Sequence, residues 1–597
     1  MRRALLALVL LALPFAARAA GDAPIAWRDF SPDRFAEARR EGKLVLLDME
    51  AVWCHWCHVM DATTYRDPEV VALIARHVVP IKVDQDSHPG LSQRYEDWGW
   101  PATIVFDGEG RELLKARGYI EPAQMRAALA ALVANPTPLD VPPPTRAGAR
   151  GHLGDDQRAM LGRRFLDAFD DEQAGWGGGH KFLQPDAIEW ALALGLAGDA
   201  VQRQRALATL AHARALIDPV DGGMYQYSDN GRWDSPHYEK IMSSQAGAVR
   251  LYALAFALTG DAAHRDAALA IDRYLDRFLR DPSGAYRVSQ DADLRDGAGR
   301  TVMTGKQYYA LDAAGRRAAG QPRIDASLYA RETGWAVSAL VALAEATGDD
   351  ATLDRAVRSA RWIVAERGGP GGGVRHGAEG EDRFLQTNLA AGAAFLDLYR
   401  ATADRRWLDR AAAVGRFMID RIEDRADGGF PAAPPPAGAV GALAIAAKHL
   451  DDNAAAARFL NLLRHYTGDA AFGAAATRTM AWLAAHPAAN RPAFWPSLLQ
   501  ADRELADEPT HVTVVGPRDD PATRALHRAA LAYPAIYRRI EIHDPASGPL
   551  PNMDVEYPDV GAPALFACTG KICSLPVFEP AQARAALDRL LRPVAGR

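Results

Sequence analysis

The pattern of hydrophobic and polar positions changes twice along the chain, and each change predicts a domain boundary. From residue 23 to residue 133, short apolar runs such as 43–48 alternate with helical stretches, which is typical of an α/β domain built on a small sheet. From 151 to 490, apolar residues recur at helical spacing. Strand and helix patterns alternate again from 508 to 597. We therefore predict a multidomain protein that is α/β at both ends and all-α in the middle.

Proline and glycine refine this division. Residues 134–150 contain five prolines, too many for a helix or a central strand, and predict a stiff extended linker. Glycine-rich turns recur after the predicted helices and usually lead into an aromatic residue; they lie at 175–179, 221–225, 283–286, 371–374 and 427–430. Repeated helical hairpins must pack side by side to bury their apolar faces, and about six of them closed into a ring give an (α/α)6 toroid. An open solenoid of hairpins is the alternative.

Length and composition limit the functions to be considered. The 597 residues exceed the size at which one hydrophobic core stops growing, which agrees with several domains. Hydrophobic residues make up 49% and charged residues 24%, with a formal net charge of -6, and the basic residues form no patch with interleaved aromatics. Nucleic acid is therefore not expected as a partner.

The N-terminus has the three parts of a secretory signal. Two arginines precede an apolar run at 4–17, and Ala17 and Ala19 supply the small residues that a signal peptidase reads. We predict a signal peptide over 1–19, and an exported, periplasmic or secreted protein with no transmembrane anchor after cleavage. An uncleaved membrane anchor is the alternative, although the apolar run is short for a bilayer.

The four cysteines form two pairs, and the first pair has the features of a redox site. Cys54 and Cys57 follow the apolar run at 43–48 and begin a helical stretch. Unpaired N–H groups and the partial positive charge of a helix N-terminus stabilise a thiolate, which favours Cys54 as the nucleophile. Cys57, one helical turn later, would resolve a mixed disulfide by attacking Cys54. This pattern predicts a thiol–disulfide oxidoreductase, for which we expect no cofactor and no metal.

Three further residues fit the redox chemistry. His55, beside the nucleophile, favours the thiolate when it is protonated. Asp48 lies on the preceding strand and is placed to take a proton during resolution. Pro101 precedes the third strand, at the place of the cis-proline that faces the cysteines in thioredoxin folds. Two alternatives are a zinc site that the cysteines share with His55 or His58 and a disulfide without exchange activity.

The motifs extend beyond the redox site. They include Trp-Cys-His-Trp-Cys-His-Val-Met at 53–60, Gly-Trp-Pro at 99–101, Gly-Gly-His-Lys-Phe at 178–182, Pro-His-Tyr-Glu-Lys at 236–240, Gln-Asp-Ala-Asp at 290–293 and a two-cysteine motif at 568–576. Together they resemble the spermatogenesis-associated protein 20 family, also called the DUF255 or YyaL-type thioredoxin-domain proteins. The resemblance covers nearly all of the mature chain. It implies a thioredoxin-like domain fused to a six-hairpin toroid of the kind found in sugar epimerases and glycosidases.

The chain departs from that family in two segments. Where relatives carry Leu-Glu-Asp-Tyr, this chain has Leu-Gln-Thr-Asn at 385–388. Where they carry Glu-Gly-Lys-Phe-Tyr, it has Thr-Gly-Lys-Gln-Tyr at 304–308. Both changes remove a carboxylate from an expected pocket position, which weakens the expectation of shared acid–base chemistry in the toroid.

The loops of the predicted toroid carry residues suited to a sugar pocket, because sugar chemistry uses paired carboxylates or histidines beside aromatic platforms. The candidate pocket residues are His180, Trp176, Tyr225, His237, Glu239, Asp291 and His376. His237 and Glu239 form the best candidate pair, since both lie in one polar segment. Structural roles are the alternative: Glu239 would pair with Lys240 or Lys181, and the aromatic residues would fill the ring.

The second cysteine pair, Cys568 and Cys573, flanks a turn after a predicted strand. A disulfide that clips this turn is the simpler interpretation. The alternative is that this pair exchanges electrons with Cys54 and Cys57, which requires that the two pairs lie close together.

Three functions follow from these features. The leading hypothesis is an exported oxidoreductase that acts on protein thiols or disulfides, or on a redox partner, with a toroid that binds a partner or a carbohydrate-like ligand. The second is a sugar epimerase or hydrolase carried by the toroid, with the thioredoxin-like part as an accessory. The third is a non-catalytic binding protein.

Overall fold

The computed structural model describes residues 24–141, 143–569 and 572–591. The predicted signal peptide lies outside the described residues. Within these ranges, none of the helices is long and apolar enough to cross a bilayer. The chain forms two α/β parts with a ring of helices between them, which confirms the predicted fold class.

The N-terminal part is a four-stranded sheet with helices on both faces. Its elements are α1 (Asp33–Glu41), β1 (Leu44–Glu50), α2 (His55–Ala62), α3 (Pro68–His77), β2 (Val78–Asp84), α4 (Pro89–Tyr95), β3 (Ala102–Phe106), β4 (Glu112–Arg117) and α5 (Pro122–Ala134). The strand order is β2-β1-β3-β4, with β1 parallel to β2 and antiparallel to β3, and β3 antiparallel to β4. Both faces are covered, so β1 is buried along nearly its whole length. The Trp100–Pro101 peptide bond before β3 is cis, and the arrangement is thioredoxin-like.

The middle part consists of helices with short strands in their connections. The helices are α6 (Asp155–Asp167), α7 (Pro185–Leu196), α8 (Ala200–Ala213), α9 (Met242–Thr259), α10 (Ala262–Tyr274), α11 (Gly305–Tyr309), α12 (Ala313–Ala319), α13 (Ala330–Thr347), α14 (Asp350–Trp362), α15 (Leu385–Thr402), α16 (Arg405–Arg421), α17 (Leu450–Thr467), α18 (Ala470–Ala485) and α19 (Pro496–Ala506). The strands are β5 (Tyr227–Ser228), β6 (Pro236–His237), β7 (Lys240–Ile241), β8 (Arg287–Gln290), β9 (Leu294–Arg295), β10 (Thr301–Met303) and β11 (Ile324–Leu328).

Six of these helices form an inner ring. Helices α7, α9, α13, α15, α17 and α19 each pack against the next, and α19 packs against α7 to close the circle. Helices α6, α8, α10, α14, α16 and α18 each pack from outside, mainly on one inner helix. Because the circle closes, the middle part is an (α/α)6 toroid and not an open solenoid.

The toroid extends beyond its predicted end at residue 490. Prolines at 487 and 492 interrupt the helical pattern there, yet α19 begins at Pro496. Proline is compatible with the first turn of a helix, because the N–H that it lacks has no intrahelical acceptor. Leu498 and Leu499 of α19 are buried in the ring core. The predicted boundary is therefore wrong, and the toroid ends at Ala506.

The long connections of the ring lead from outer helices into the next inner helix, so they gather at one end of the ring. Glycine shapes one of them at a close approach between two chain segments. Gly222 has a φ of 74°, and a β-carbon at this position would lie 2.2 Å from the carbonyl oxygen of Ala270. Only glycine combines this left-handed backbone with the missing side chain.

The C-terminal part is a second small sheet. Its elements are β12 (Thr510–Val515), α20 (Pro521–Leu531), β13 (Arg538–His543), β14 (Ala564–Thr569), β15 (Ile572–Cys573) and α21 (Pro580–Leu591). The strand order is β13-β12-β14-β15, with β12 parallel to β13 and antiparallel to β14, and β14 antiparallel to β15. This is the same order and the same set of directions as in the N-terminal sheet.

Two sequence features occur at equivalent positions of both α/β parts. Pro563 directly precedes β14, as Pro101 directly precedes β3. The last helix of each part begins at the proline of a Glu-Pro-Ala-Gln segment, at 121–124 and 579–582. The C-terminal part has no cysteine before α20, where Asp520 caps the helix instead. The topology of the redox part is therefore present twice, but the helix-capping cysteine pair only once.

The two α/β parts cover opposite ends of the ring. At one end, Arg331 near the start of α13 bonds Asp86 of the thioredoxin-like part. At the other end, Glu345 near the end of the same helix bonds Arg538 of β13. These helix positions differ by fourteen residues, which corresponds to about 21 Å of α-helix. The long connections of the ring meet the thioredoxin-like part.

Candidate functional site

The predicted redox cysteines form a disulfide at the start of α2. Cys54 immediately precedes the helix, and its Sγ accepts a hydrogen bond from the Cys57 N–H at 3.1 Å. The helix N-terminus therefore directs a donor and a partial positive charge at the Cys54 sulfur. After reduction, the same groups would stabilise a thiolate on Cys54, as a nucleophilic cysteine requires.

The toroid covers this disulfide. Cys54 is 3% exposed and Cys57 is 2% exposed. Trp53 and Trp100 of the thioredoxin-like part pack against the pair, and Ile241 at the start of α9 packs against it from the toroid. A partner molecule can therefore reach the sulfurs only when this contact opens.

His55 connects the active-site helix to the toroid. Its backbone N–H donates to Glu239 Oε1 at 3.3 Å, and its Nδ1 lies 2.7 Å from Asp293 Oδ2. The hydrogen bond to Asp293 raises the pKa of His55, although burial opposes this effect. The contact thus favours the protonated form of His55 beside Cys54.

Glu239 does not form an ion pair with Lys240 or Lys181, since each lysine bonds a different carboxylate. Lys240 Nζ bonds Asp218 at 2.7 Å, and Lys181 Nζ bonds Asp170 at 2.8 Å. Glu239 is 3% exposed, and burial raises its pKa. Its contact with the active-site helix makes it part of the interface between toroid and redox site.

A second histidine of α2 faces the toroid loop between β8 and β9. His58 Nδ1 lies 3.7 Å from Asp291 Oδ2, and one ligand atom from each of His58, Asp291 and Asp293 lies within 4.8 Å of the others. Burial raises the pKa of Asp291 to about 7, and burial together with the charge of Arg295 lowers the pKa of His58 to about 3. The Asp293 N–H donates to Asp291 Oδ1 at 3.0 Å, which fixes the first carboxylate.

Asp48, the predicted proton acceptor, is buried in β1 beside a lysine. Lys82 Nζ lies 3.3 Å from Asp48, 2.8 Å from Glu50 and 2.6 Å from Asp61. Burial raises the pKa of Asp48 to about 7, while Lys82 opposes this shift. A carboxyl group with this pKa takes up and releases a proton near neutral pH, as resolution of a mixed disulfide requires.

Asp86, in the loop after β2, makes a buried polar contact with the toroid. It accepts hydrogen bonds from Trp53 Nε1 at 3.1 Å and from Arg331 Nη2 at 3.0 Å. Arg331 also donates to Glu332 at 2.7 Å, and all three charged residues are buried. His376 Nε2 lies 2.8 Å from the Asp86 carbonyl oxygen. His376, a predicted pocket residue, therefore belongs to the interface.

Two predicted pocket histidines contact one aspartate. His180 Nδ1 lies 2.9 Å and His237 Nε2 lies 2.6 Å from the carboxylate of Asp229. His237 also stacks on Tyr227, with ring centres 4.1 Å apart. The short side-chain contact of His237 is thus with Asp229, while Glu239, the other member of the candidate pair, contacts His55.

The two predicted pocket aromatics are core residues. Trp176 is 2% exposed and stacks on Phe165, with ring centres 5.1 Å apart. Tyr225 packs against Tyr238 and Tyr309, with ring centres 4.9 and 5.2 Å away. Both side chains fill the ring, which agrees with the alternative to a role in a sugar pocket.

Inside the ring, toward the C-terminal part, lies a cavity of about 310 Å³. Its carboxylates are held by arginines: Glu189 bonds Arg250 and, at 2.7 Å, Arg458, and Glu345 bonds Arg400 at 2.8 Å. Burial would raise the pKa of Glu189, but the two arginines outweigh it and hold this pKa at about 2. A carboxylate with this pKa is ionised at neutral pH and is not suited to act as a general acid there.

The second cysteine pair forms a local disulfide. Cys568 of β14 and Cys573 of β15 face each other across the strand pair and are joined. Their sheet covers the end of the ring opposite to Cys54, so the structure does not bring the two pairs together for exchange.

Several interface residues lie outside the predicted site. Asp86, Arg331 and Ile241 are absent from it, and Asp293 entered only as the last letter of the Gln-Asp-Ala-Asp motif. Asp86 was visible as a polar residue just after a buried strand, and Arg331-Glu332 as adjacent charges at the start of an apolar helix. Neither pattern identifies the residue that contacts it across the interface.

Comparison with known proteins confirms the family resemblance. Residues 13–134 match a family model described as Thioredox_DsbH, a protein of unknown function, DUF255. Spermatogenesis-associated protein 20 is 26% identical over 326 residues in Homo sapiens and 25% identical over 323 residues in Mus musculus. Each match covers 48% of this chain and 41% of the relative, so the chain spans about two fifths of these relatives. Thiol:disulfide interchange protein DsbD of Yersinia pestis is 29% identical over 92 residues, 15% of this chain and 16% of that protein.

Two solved structures resemble more than half of the chain. A D-mannose isomerase has 12% identity and a TM-score of 0.46, and covers 59% of this chain and 96% of its own. Cellobiose 2-epimerase from Bacillus thermoamylovorans has 13% identity and a TM-score of 0.41, and covers 54% of this chain and 85% of its own. Scores this low carry no functional argument. The closed packing of its own helices establishes the toroid.

Proposed function

We propose that this chain is an exported thiol–disulfide oxidoreductase in which Cys54 attacks the partner and Cys57 resolves the mixed disulfide. The observation that carries the proposal is the position of Cys54 at the N-terminus of α2, where its sulfur accepts the Cys57 N–H. The thioredoxin-like sheet around the pair supports it. The similarity to a protein named for thiol:disulfide interchange adds support.

The reaction begins from the reduced pair. The Cys54 thiolate attacks a disulfide sulfur of the partner, which forms a mixed disulfide and releases the first partner thiolate. Cys57 loses its proton and attacks the Cys54 sulfur, so the second partner thiol leaves and the enzyme disulfide forms. Two electrons pass to the partner. Asp48, whose pKa is about 7, is the group we assign to take the Cys57 proton.

The covering toroid selects the partner. Exchange requires that Ile241 move away from the disulfide and that the contacts of His55 with Glu239 and Asp293 separate. A protein thiol or disulfide, or a dedicated redox partner, that binds the toroid loops would favour this opening. We assign the toroid this binding role, with a carbohydrate-like ligand as the other candidate occupant.

Export is supported by the sequence at the N-terminus. A basic start, the apolar run at 4–17 and the small residues that follow it have the pattern of a cleaved signal. The two disulfides of the structure also suit an oxidising compartment.

Sugar chemistry has weaker support than redox chemistry. Glu189 and Glu345 are held by arginines, and His237 is bonded to Asp229. The end of the ring with the long connections, where a pocket was expected, is occupied by the thioredoxin-like part. We therefore propose no sugar-converting activity.

Trapping of the mixed disulfide tests the proposal. The reduced Cys57→Ser variant should accumulate a mixed disulfide with glutathione disulfide, visible by intact-protein mass spectrometry, because it attacks but does not resolve. The Cys54→Ser variant should not, and the Cys568→Ser/Cys573→Ser double variant should exchange like the parent. Equal trapping by both single variants, or turnover that survives Cys54→Ser, would refute the assignment.

A further inference from the structure

Two clusters of ionisable side chains flank the active-site helix, and they differ in how their charge is balanced. In the first, Asp48, Glu50 and Asp61 surround the ammonium group of Lys82 at 3.3, 2.8 and 2.6 Å. Their oxygens lie close enough to share one cation. The lysine already supplies that cation, so a salt bridge balances the charge of this cluster, although Asp48 Oδ1 has no hydrogen-bond partner among the described residues.

The second cluster lies where α2 meets the toroid and has no such centre among the described residues. His58, Asp291 and Asp293 bring their ligand atoms within 4.8 Å of one another. Arg295 Nε is 3.9 Å from Asp291 Oδ2, which is an ion-pair distance but too long for a hydrogen bond.

Four buried atoms around this cluster lack a hydrogen-bond partner within the described part of the chain. Three belong to possible ligands, Asp291 Oδ2, His58 Nδ1 and Glu239 Oε2, and the fourth is Arg295 Nε. Asp291 is 1% exposed, and an unpaired polar atom at such a buried position destabilises the protein unless a ligand satisfies it. Asp291 Oδ2 and His58 Nδ1 lie 3.7 Å apart and face each other without a hydrogen bond, so both can accept a cation placed between them.

We propose that His58, Asp291 and Asp293 bind one divalent first-row transition-metal ion between the thioredoxin-like part and the toroid. One imidazole with two carboxylates is a mixed nitrogen and oxygen set, which suits Mn²⁺, Fe²⁺ or Zn²⁺. Mg²⁺ and Ca²⁺ prefer oxygen ligands alone. The unpaired Oε2 of Glu239 is a further carboxylate oxygen of the kind that these ions bind.

Neighbouring polar groups hold the carboxylates of Asp291 and Asp293 in place, as groups that hydrogen-bond to the ligands do in metal sites. Asp293 Oδ1 accepts the Gly305 N–H at 2.7 Å, and its Oδ2 faces His55 Nδ1 at 2.7 Å. Asp291 Oδ1 accepts the Asp293 N–H at 3.0 Å. Hydrogen bonds of this kind orient ligands and tune their affinity. Because these carboxylates belong to the toroid and His58 directly follows Cys57, a bound ion would fasten the toroid over the disulfide.

Metal titration of the full-length oxidised protein tests the proposal. After chelator treatment and desalting, isothermal titration with Mn²⁺ and with Zn²⁺ should show one site per chain. At least one of these ions should bind about tenfold or more tightly than Mg²⁺ or Ca²⁺. Asp291→Asn and His58→Gln should each weaken binding by more than about 100-fold, beyond the range for losing an outer-shell partner.

Three control variants make the result specific. Asp296→Asn removes a partly exposed carboxylate in the next turn, between β9 and β10, that is bonded to Arg300; this variant should bind like the parent. Glu50→Gln disturbs the lysine-centred cluster and should also bind like the parent. The Cys54→Ser/Cys57→Ser double variant should retain the site, because the thiols are not ligands.

The proposal fails if no stoichiometric binding is seen, or if Asp291→Asn, shown to be folded by circular dichroism, binds as tightly as the parent. It also fails if the cysteine double variant abolishes binding, since the site would then depend on the cysteine pair and not on His58, Asp291 and Asp293. These readouts need no exchange activity, so they separate this proposal from the redox one.

Discussion

The interface contact of Arg331 predicts how fast the covered disulfide can be reduced. Arg331 is buried and balances Asp86 of the thioredoxin-like part at 3.0 Å. Arg331→Leu would keep most of the side-chain volume but leave Asp86 buried without its cation while the two parts are docked. Separation of the parts would return Asp86 to water. The variant should therefore shift the docking equilibrium toward the open state.

The burial of the Arg331–Asp86 ion pair gives the expected size of the shift in the docking equilibrium. Removing one partner of a buried ion pair costs about 3–5 kcal/mol. Each 1.4 kcal/mol is a factor of ten in an equilibrium constant, so the open state should become roughly 100- to several-thousand-fold more populated. If thiols reach Cys54 and Cys57 only in the open state, the reduction rate should rise by a similar factor until opening is no longer limiting.

The assay follows reduction of the full chain by dithiothreitol, with alkylation of free thiols and mass spectrometry at each time point. Arg265→Leu is the matched control, because Arg265 is exposed, bonds the exposed Asp266 and should change the rate by less than about twofold. A folded Arg331→Leu variant whose disulfide is reduced no faster than that of the control would refute the claim that docking limits access.

Three further predictions concern single features of the fold. Asp48→Asn should flatten the pH dependence of stability. Because the pKa of Asp48 is raised to about 7, the parent loses stability as pH rises from about 4 through 7, and the variant does not. The melting temperature of the variant should therefore gain on that of the parent toward pH 8. The Cys568→Ala/Cys573→Ala double variant should lose about 2 kcal/mol of stability, as expected for a short loop, and keep the reduction potential of the first pair. Gly222→Ala should destabilise by about 2 kcal/mol more than Gly260→Ala, since both have positive φ but only the first meets a backbone oxygen; equal denaturation midpoints would contradict this.

Local features of the redox site were predictable because they depend on short spacings. Cys54 and Cys57 lie one turn apart at a helix start that follows a buried strand, and Pro101 stands directly before the next strand. Helix spacing and glycine turns also indicated the ring. Its final helix lies beyond the predicted end at residue 490 and begins at Pro496, where proline is compatible with the first turn of a helix.

Contacts between distant segments were not predictable from the pattern. His55 meets Asp293 across 238 positions, and Asp86 meets Arg331 across 245. A charged residue in one sequence does not state which partner neutralises it, so Asp86 and Arg331 remained unassigned. The docking of the toroid over the disulfide, which these contacts produce, is therefore a property that only the structure shows.

The reduction potential of the Cys54–Cys57 pair tests the central claim most directly. The oxidised chain would be equilibrated with glutathione buffers until forward and reverse approaches agree, and the thiols would be trapped and counted by mass spectrometry. The proposed function predicts a reversible two-electron couple between about -120 and -270 mV, with the chain folded throughout. A pair that stays oxidised until the protein unfolds would contradict it and leave the disulfide a structural one.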